Sequence, residues 1–103
     1  MPPDAVTVTD NRDLGRYEIR LGDDLAGFVT YRLRTGRITY IHTEVEPEFE
    51  GRGIGGLLAA AVLDDARARG LTVIPICPFI SAWIKRHPEY SDLVAAWPAT
   101  TEG

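Results

Sequence analysis

The sequence has one cysteine, Cys77, so no internal disulfide can form, and this fits a reducing compartment. It has no apolar run near the roughly 20 residues that cross a membrane. Its first residues, "MPPDAVTVTDNRD", lack the basic start and apolar middle of a secretory signal. The net charge is −4, and no dense run of Lys and Arg favours nucleic acid as a partner. We therefore expect a cytoplasmic, soluble protein without a nucleic-acid or membrane partner.

With 103 residues, of which 45% are hydrophobic, the chain suits a single small domain over residues 1–103 with its own core. We expect frayed ends at about residues 1–4 and 98–103. No metal site is expected, and the protein is expected to be a monomer or a weak homodimer.

The first half of the sequence is typical of antiparallel hairpins. Three runs rich in β-forming or alternating residues are separated by short turn signals, at 16–22, 25–34 and 37–45. A further edge strand is expected at 5–9, and Pro47 ends the last strand of this half because proline cannot donate to a ladder.

The second half predicts helices around one buried strand. A helix is expected from about Gly53 to Arg69, ending at Gly70. The run "LTVIPI" at 71–76 predicts a strand, and Pro78 opens a second helix, "FISAWIKRH". The run "PEYSDLVAAW" predicts a short final helix, and Trp83, Trp97 and Phe28 are expected to pack in or around the core.

The segment "EFEGRGIGGLLAAAVL" opens an apolar helix with glycines. The sequence Gly51-Arg52-Gly53 provides no Ser, Thr, Asp or Asn to cap the first backbone N–H groups. Glycine permits close approach of a ligand, the helix dipole is positive there, and Arg52 adds a forked donor. This pattern predicts a phosphate or pyrophosphate site. The alternative is that the glycines only permit tight packing and that water caps the amides.

Three phosphate-binding motifs compete for this segment. Gly51-x-Gly53-x-x-Gly56 matches the dinucleotide fingerprint, but residues 47–50 separate it from the preceding strand, and no acid ends the next strand to hold a ribose. The P-loop needs Gly-Lys-Ser/Thr, which is absent. The stretch "VEPEFEGRGIGGLL" instead resembles the acetyl-coenzyme A signature of GCN5-related N-acetyltransferases, with Gly53 and Gly55 as the motif glycines.

The resemblance covers roughly residues 16–92 and is strongest to a very short subfamily of these proteins. Its recurring features appear here as His42, Pro75-Ile76-Cys77-Pro78-Phe79 and His87-Pro88-Glu89-Tyr90. It implies an α/β acyl-CoA N-acyltransferase fold: a mixed, mostly antiparallel sheet, a signature helix and short C-terminal helices. The implied cofactor is acetyl-CoA or CoA, with the backbone of Val45 pairing with the pantetheine arm.

Lys85 and Arg86 are placed to approach the nucleotide's 3′-phosphate, although a solvated helix face explains them equally well. The cofactor-binding residues expected from the signature and from this helix are Val45, Gly51, Arg52, Gly53, Ile54, Gly55, Gly56 and Lys85.

Three departures from the larger family stand out. Glu50 occupies a signature position where Gln or Arg is usual, and a carboxylate there is unfavourable for a pyrophosphate. Ile84 aligns with the tyrosine that larger members use as general acid, and Tyr90 aligns with a packing position. The chain also lacks the family's N-terminal helix pair, which builds part of the acceptor pocket.

Two residues are candidates for catalysis. Alternation along "YIHTEVEP" predicts Tyr40, His42, Glu44 and Glu46 on one face of the strand, with Ile41, Thr43 and Val45 on the other. His42 beside a carboxylate suits a general base; a structural histidine or a solvated polar face is the alternative.

Cys77 ends the strand that follows the signature helix and caps the next helix, a position that favours the thiolate. It is a candidate to accept the acetyl group or to relay a proton with His42. The alternative is a small buried apolar residue beside Pro75 and Phe79.

Three functions remain open at this level. The first is an N-acetyltransferase acting on a small-molecule or peptide amine, and the acidic balance of the chain favours a cationic acceptor such as a lysine or polyamine. The second is a non-catalytic CoA- or acyl-CoA-binding module. The third is a small interaction domain whose glycine loop binds another anion.

Overall fold

A computed structural model describes residues 5–94, and five strands in it form one sheet in the order in which they occur in the chain. The first four pair antiparallel, and the fifth pairs parallel to the fourth. Their bounds are β1 Val6–Asn11, β2 Arg16–Leu21, β3 Asp24–Arg34, β4 Arg37–Val45 and β5 Thr72–Pro75. The predicted hairpins, the edge strand and the mixed, mostly antiparallel sheet are confirmed.

Two α-helices accompany the sheet, α1 at Ile54–Ala68 and α2 at Pro78–Arg86. Gly70 has a φ of 67°, and the N–H groups of Gly70 and Leu71 donate to Arg67 and Ala66, so glycine ends α1 as predicted. Short 3-10 helices lie at Pro47–Phe49 and Pro88–Leu93. The predicted final helix is therefore a 3-10 turn over its described part, and Trp97 lies outside the described residues.

The helices pack on one face of the sheet, which we call the helix face. Side chains from β2 to β5 meet α1 and α2 there in one apolar core, which includes Ile19, Val29, Ile38, Leu58, Val62, Leu63, Val73 and Ile80. Within residues 5–94 no helix covers the opposite face, which we call the outer face. No helix in this part of the chain is long and apolar enough to cross a membrane.

Polar contacts attach α1 to the sheet as well. The hydroxyl of Tyr17, on β2, donates to the Asp65 carboxylate, and Arg69 donates to the same hydroxyl at 3.2 Å. Burial and the bond to Asp65 raise the pKa of Tyr17 well above its usual range, so it remains a neutral donor. The buried hydroxyl is thus fully paired, which avoids the cost of an unsatisfied polar group.

A β-bulge changes the predicted faces of β4. The pairing between β3 and β4 shifts between Thr30 and Tyr31, which leaves Ile41 as an extra residue between the paired residues Tyr40 and His42. Tyr40 is buried on the helix face, where its hydroxyl donates to the Val62 carbonyl at 2.6 Å. The prediction that Tyr40 and His42 share a face, opposite Ile41, is therefore wrong, because regular alternation does not hold across a bulge.

Candidate active site

A gap opens in the sheet between β4 and β5. Their last paired residues are Tyr40 and Pro75, and the Cys77 N–H then donates to the Tyr40 carbonyl at 2.9 Å. Beyond this point β4 continues to Val45, paired with β3 only. The Glu46 N–H donates to Ala26 of β3. The N–H and C=O of one residue in a strand face the same edge, and this edge alternates from residue to residue, so the N–H and C=O of Val45 face the gap.

The glycine loop, residues 50–53, precedes α1 and leaves free backbone donors at the start of that helix. Gly51 and Gly53 have φ values of 82° and 75°, and Gly53 is the N-cap of α1 without a side-chain cap. Within the described residues, the N–H groups of Ile54, Gly55 and Gly56 have no acceptor. They lie at the positive end of a helix of 15 residues, so together they favour a bound anion.

The next two glycines have a different cause. A Cβ at Gly55 would lie 2.8 Å from the Phe79 ring, and one at Gly56 would lie 2.9 Å from the Trp83 ring. Both aromatic residues belong to α2, so glycine at these positions allows α2 to pack closely on α1. The sequence interpretation of Gly55 as a glycine needed for ligand approach differs from this geometry, although its N–H is still free.

An apolar groove of about 740 Å³ lies between the glycine loop, α1 and α2. It is lined by Val45, Phe49, Glu50, Gly51, Gly53, Ile54, Gly55, Gly56, Leu57, Ala60, Phe79, Trp83 and Arg86. Although the start of α1 is apolar on all sides, Leu57 is 49% exposed, because this side of the helix forms the groove wall.

The charged residues around the groove are Glu50, Arg52 and Arg86. Glu50 and Arg86 line it, and the Arg52 guanidinium lies 5.5 Å from the centre of the Phe49 ring at the exposed loop. Lys85, predicted to contact a cofactor, is exposed and does not line the groove. Two arginines and one carboxylate give the surroundings of the groove a positive balance.

Cys77 is buried at the floor of the gap. Its side chain caps no N–H group of α2, the residue is 2% exposed, and its Sγ lies 3.2 Å from the Thr43 hydroxyl oxygen. Thr43 comes from the part of β4 that pairs with β3 but no longer with β5, and it lies on the helix face. Within residues 5–94 the thiol thus has one side-chain hydrogen-bond partner, Thr43, which the sequence interpretation did not single out.

His42 lies on the outer face. Its Nε2 is 3.2 Å from the Glu44 carboxylate, as the sequence spacing suggested, and its ring meets the edge of Phe28. Among the hydrogen bonds of residues 5–94, none joins His42 to Cys77, whose partner Thr43 points to the other face. The two candidate catalytic residues therefore flank the strand from opposite sides.

The described tyrosines offer no general acid at the gap. Ile84, at the aligned position, is buried in the core. Tyr40 donates to a helix carbonyl, and Tyr90 donates to Asp64 on α1 at 2.9 Å. Burial and the bond to Asp64 raise the pKa of Tyr90. Any proton donor at the gap must therefore be a different kind of group.

The groove wall includes two aromatic residues that sequence reasoning did not assign to the site, Phe79 and Trp83. Trp83 was expected to be a packing residue, yet its ring lines the groove, stacks on His87 at 3.8 Å between centroids, and has a buried Nε1 without a partner in residues 5–94. The sequence does contain a signal for these residues. Phe79 and Trp83 are four positions apart, which places them on one face of a helix, where they can pack against glycines.

Comparison with known proteins agrees with the geometry. The model of the family described as GCN5-related N-acetyl-transferase matches residues 16–93. A GCN5-like protein from Staphylococcus aureus, provisionally assigned as an N-acetyltransferase and determined in solution by NMR, is 25% identical. The match covers 92% of this chain and 91% of that one, with a TM-score of 0.66.

Proposed function

We propose, from the premise that the chain belongs to the GCN5-related N-acetyltransferase family, that it binds acetyl-CoA and transfers the acetyl group to an amine. The observation that carries this proposal is the set of free N–H groups on Ile54, Gly55 and Gly56, at the head of an apolar groove that leads to the gap beside β4. A pyrophosphate suits these donors, and a pantetheine arm suits the groove and the peptide group of Val45.

The residues around the groove fit such a ligand in shape and in most of their charge. Gly51 and Gly53 leave the loop open, since a Cβ at either would meet no described atom within 4 Å. Arg52 and Arg86 attract the negative charge of phosphates, whereas the Glu50 carboxylate repels it. We infer that affinity arises chiefly from backbone donors and apolar contact rather than from net charge.

The acetyl thioester would supply an activated carbonyl carbon when bound. An attacking amine must lose one proton, and the departing thiolate must gain one. We assign the first proton to His42, held by Glu44 on the outer face, and the second to the Cys77 thiol, held by Thr43 on the helix face. His42 and Cys77 do not form a direct proton relay, because their side chains lie on opposite faces of the sheet.

Ligand binding is the first test. CoA and acetyl-CoA should raise the melting temperature as their concentration rises, because they bind only the folded state. NAD is the control and should leave the melting temperature unchanged, since no acid is placed to hold its ribose. A shift with NAD and none with CoA would contradict the proposal.

The catalytic roles need a separate test. Cys77→Ala should lose most acetyl transfer while it keeps CoA affinity, which is the pattern of a group acting in the transition state. His42→Ala should also lose most acetyl transfer while it keeps CoA affinity, because a general base acts in the transition state. Glu89→Ala, an exposed change at the far 3-10 helix, is the control. Full turnover in Cys77→Ala would leave the thiol as a packing residue.

A non-catalytic CoA-binding module is the second candidate. The buried Ile84 and the occupied hydroxyls of Tyr40 and Tyr90 favour it, because they remove the usual general acid. The test offers acetyl-CoA with a set of amines that includes a lysine peptide and a polyamine. If the protein binds CoA but no amine leads to release of free thiol, the non-catalytic module is favoured.

A further inference from the structure

The outer face of the sheet carries a concentration of arginines that the net charge of −4 conceals. Arg16 and Arg20 both contact Glu18, and Arg16 lies over the Phe28 ring at 4.5 Å. Further along the sheet, Arg32 of β3 pairs with Thr39 of β4, and both residues line one recess on the outer face. By alternation, Arg34 and Arg37 point the same way as Arg32 and Thr39.

These arginines fall into two groups. Glu18 is buried under Arg16 and Arg20 and also accepts a bond from Asn11 at 3.1 Å, so the first group is neutralised within the fold. Burial would raise the pKa of Glu18, but the bonds from Arg16, Asn11 and Arg20 outweigh it and lower that pKa.

The second group, at the hairpin of β3 and β4, is exposed. Arg32, Arg34 and Arg37 make no ion pair within residues 5–94. Their charge is therefore available to a partner.

Apolar side chains accompany the second group. The recess of about 340 Å³ beside Arg32 is lined by Thr39, Ile41 and Ile76. Ile41 is 39% exposed because of the bulge, and Ile76 is 63% exposed just beyond the end of β5. Exposed isoleucines next to unpaired guanidinium groups make a surface that suits carboxylates and apolar groups together.

We propose that this surface docks an acidic polypeptide segment. Arg32, Arg34 and Arg37 bind its carboxylates, and the recess between Ile41 and Ile76 receives an apolar side chain. The surface lies on the opposite side of the sheet from the glycine groove, so it does not depend on acetyl-CoA binding.

A polypeptide fits this surface better than a nucleic acid does. The bases of single strands stack on aromatic rings, but Phe28 on this face is covered by Arg16 and flanked by His42. The chain as a whole is acidic, so it repels a long polyanion, whereas a short segment contacts only the local arginines. Carboxylates also match the forked guanidinium geometry.

The test is fluorescence anisotropy with a short fluorescein-labelled peptide in which Glu and Leu alternate. Arg32→Glu should weaken its binding about tenfold, since an attraction becomes a repulsion. Arg12→Glu changes the net charge equally on an exposed residue at the turn between β1 and β2, and should have little effect. Ile76→Ser should also weaken binding, and it should leave the fold intact because Ile76 is exposed.

Three results would overturn the proposal. Equal loss in Arg12→Glu and Arg32→Glu would mean a general charge effect. Equal binding of a peptide in which Gly replaces Leu would mean that the recess takes no side chain. If a single-stranded oligonucleotide of equal charge displaces the labelled peptide at a lower concentration than the unlabelled peptide does, nucleic acid is the favoured partner. Chemical-shift changes on β3 and β4 in an NMR titration should locate the contact independently.

Discussion

Two pairs of glycines stand side by side, Gly51 and Gly53 in the loop before α1 and Gly55 and Gly56 in its first turn, and they serve different physical needs. Gly51 and Gly53 adopt left-handed backbone angles, and space is open where their side chains would be. Gly55 and Gly56 have no positive φ, but added side chains would collide with aromatic rings of α2. The first pair shapes the loop, and the second pair lets two helices approach.

This division explains why a good helix begins with poor helix formers. The loop must turn sharply to direct the N–H groups of α1 at the groove, which needs left-handed residues. The groove also needs its second wall close by, which needs small residues facing Phe79 and Trp83. A signature that reads as one glycine-rich motif in sequence thus combines a backbone requirement with a packing requirement.

The largest effect is expected at the second pair. Gly56→Ala should lower the free energy of unfolding by about 1 to 2 kcal/mol, because overpacking against Trp83 exceeds the gain in helix propensity. Urea unfolding measures this loss. The loss should shrink in a Trp83→Leu background, where the ring is gone. If Gly56→Ala stabilises the protein, the ring moves freely and the packing explanation fails.

A smaller effect is expected at the first pair. Gly53→Ala should cost about 1 kcal/mol from the left-handed φ alone, and Gly53→Asn should cost less because asparagine tolerates that region. Neither loss should change in a Trp83→Leu background, since no described atom of α2 lies near the added Cβ. Rescue of Gly53→Ala by that change would break the distinction between the two pairs.

The sequence was sufficient for elements whose causes are local. Strand β4 ran to Val45 as predicted, because alternation and Pro47 define its end. The end of α1 at Gly70 followed from one glycine with a known role at helix ends. The family signature also directed attention to the start of α1, whose N–H groups are free.

The rest depends on contacts between distant residues. The bulge at Ile41 moved Tyr40 to the other face, and the run Tyr40-Ile41-His42-Thr43 is equally compatible with a regular strand. Thr43 meets Cys77 only because β4 outlasts its pairing with β5. The different causes of Gly53 and Gly55 were invisible until α2 was placed against α1.

The smallest effect concerns charge at the groove wall, where neighbouring residues of α2 form a matched pair. Arg86 lines the groove and Lys85 does not. Arg86→Ala should weaken CoA binding about threefold at low salt, the size expected of one partly exposed charge contact, and Lys85→Ala should leave it unchanged. Titration calorimetry measures both affinities, and the difference should shrink as salt is added, because screening reduces exposed charge pairs. Unfolding free energies should stay the same in both variants, unlike in Gly56→Ala. An equal loss in both variants would mean that the ligand responds to the charge of α2 as a whole. A larger loss in Lys85→Ala would put the phosphates on the other side of α2, away from the free N–H groups of α1.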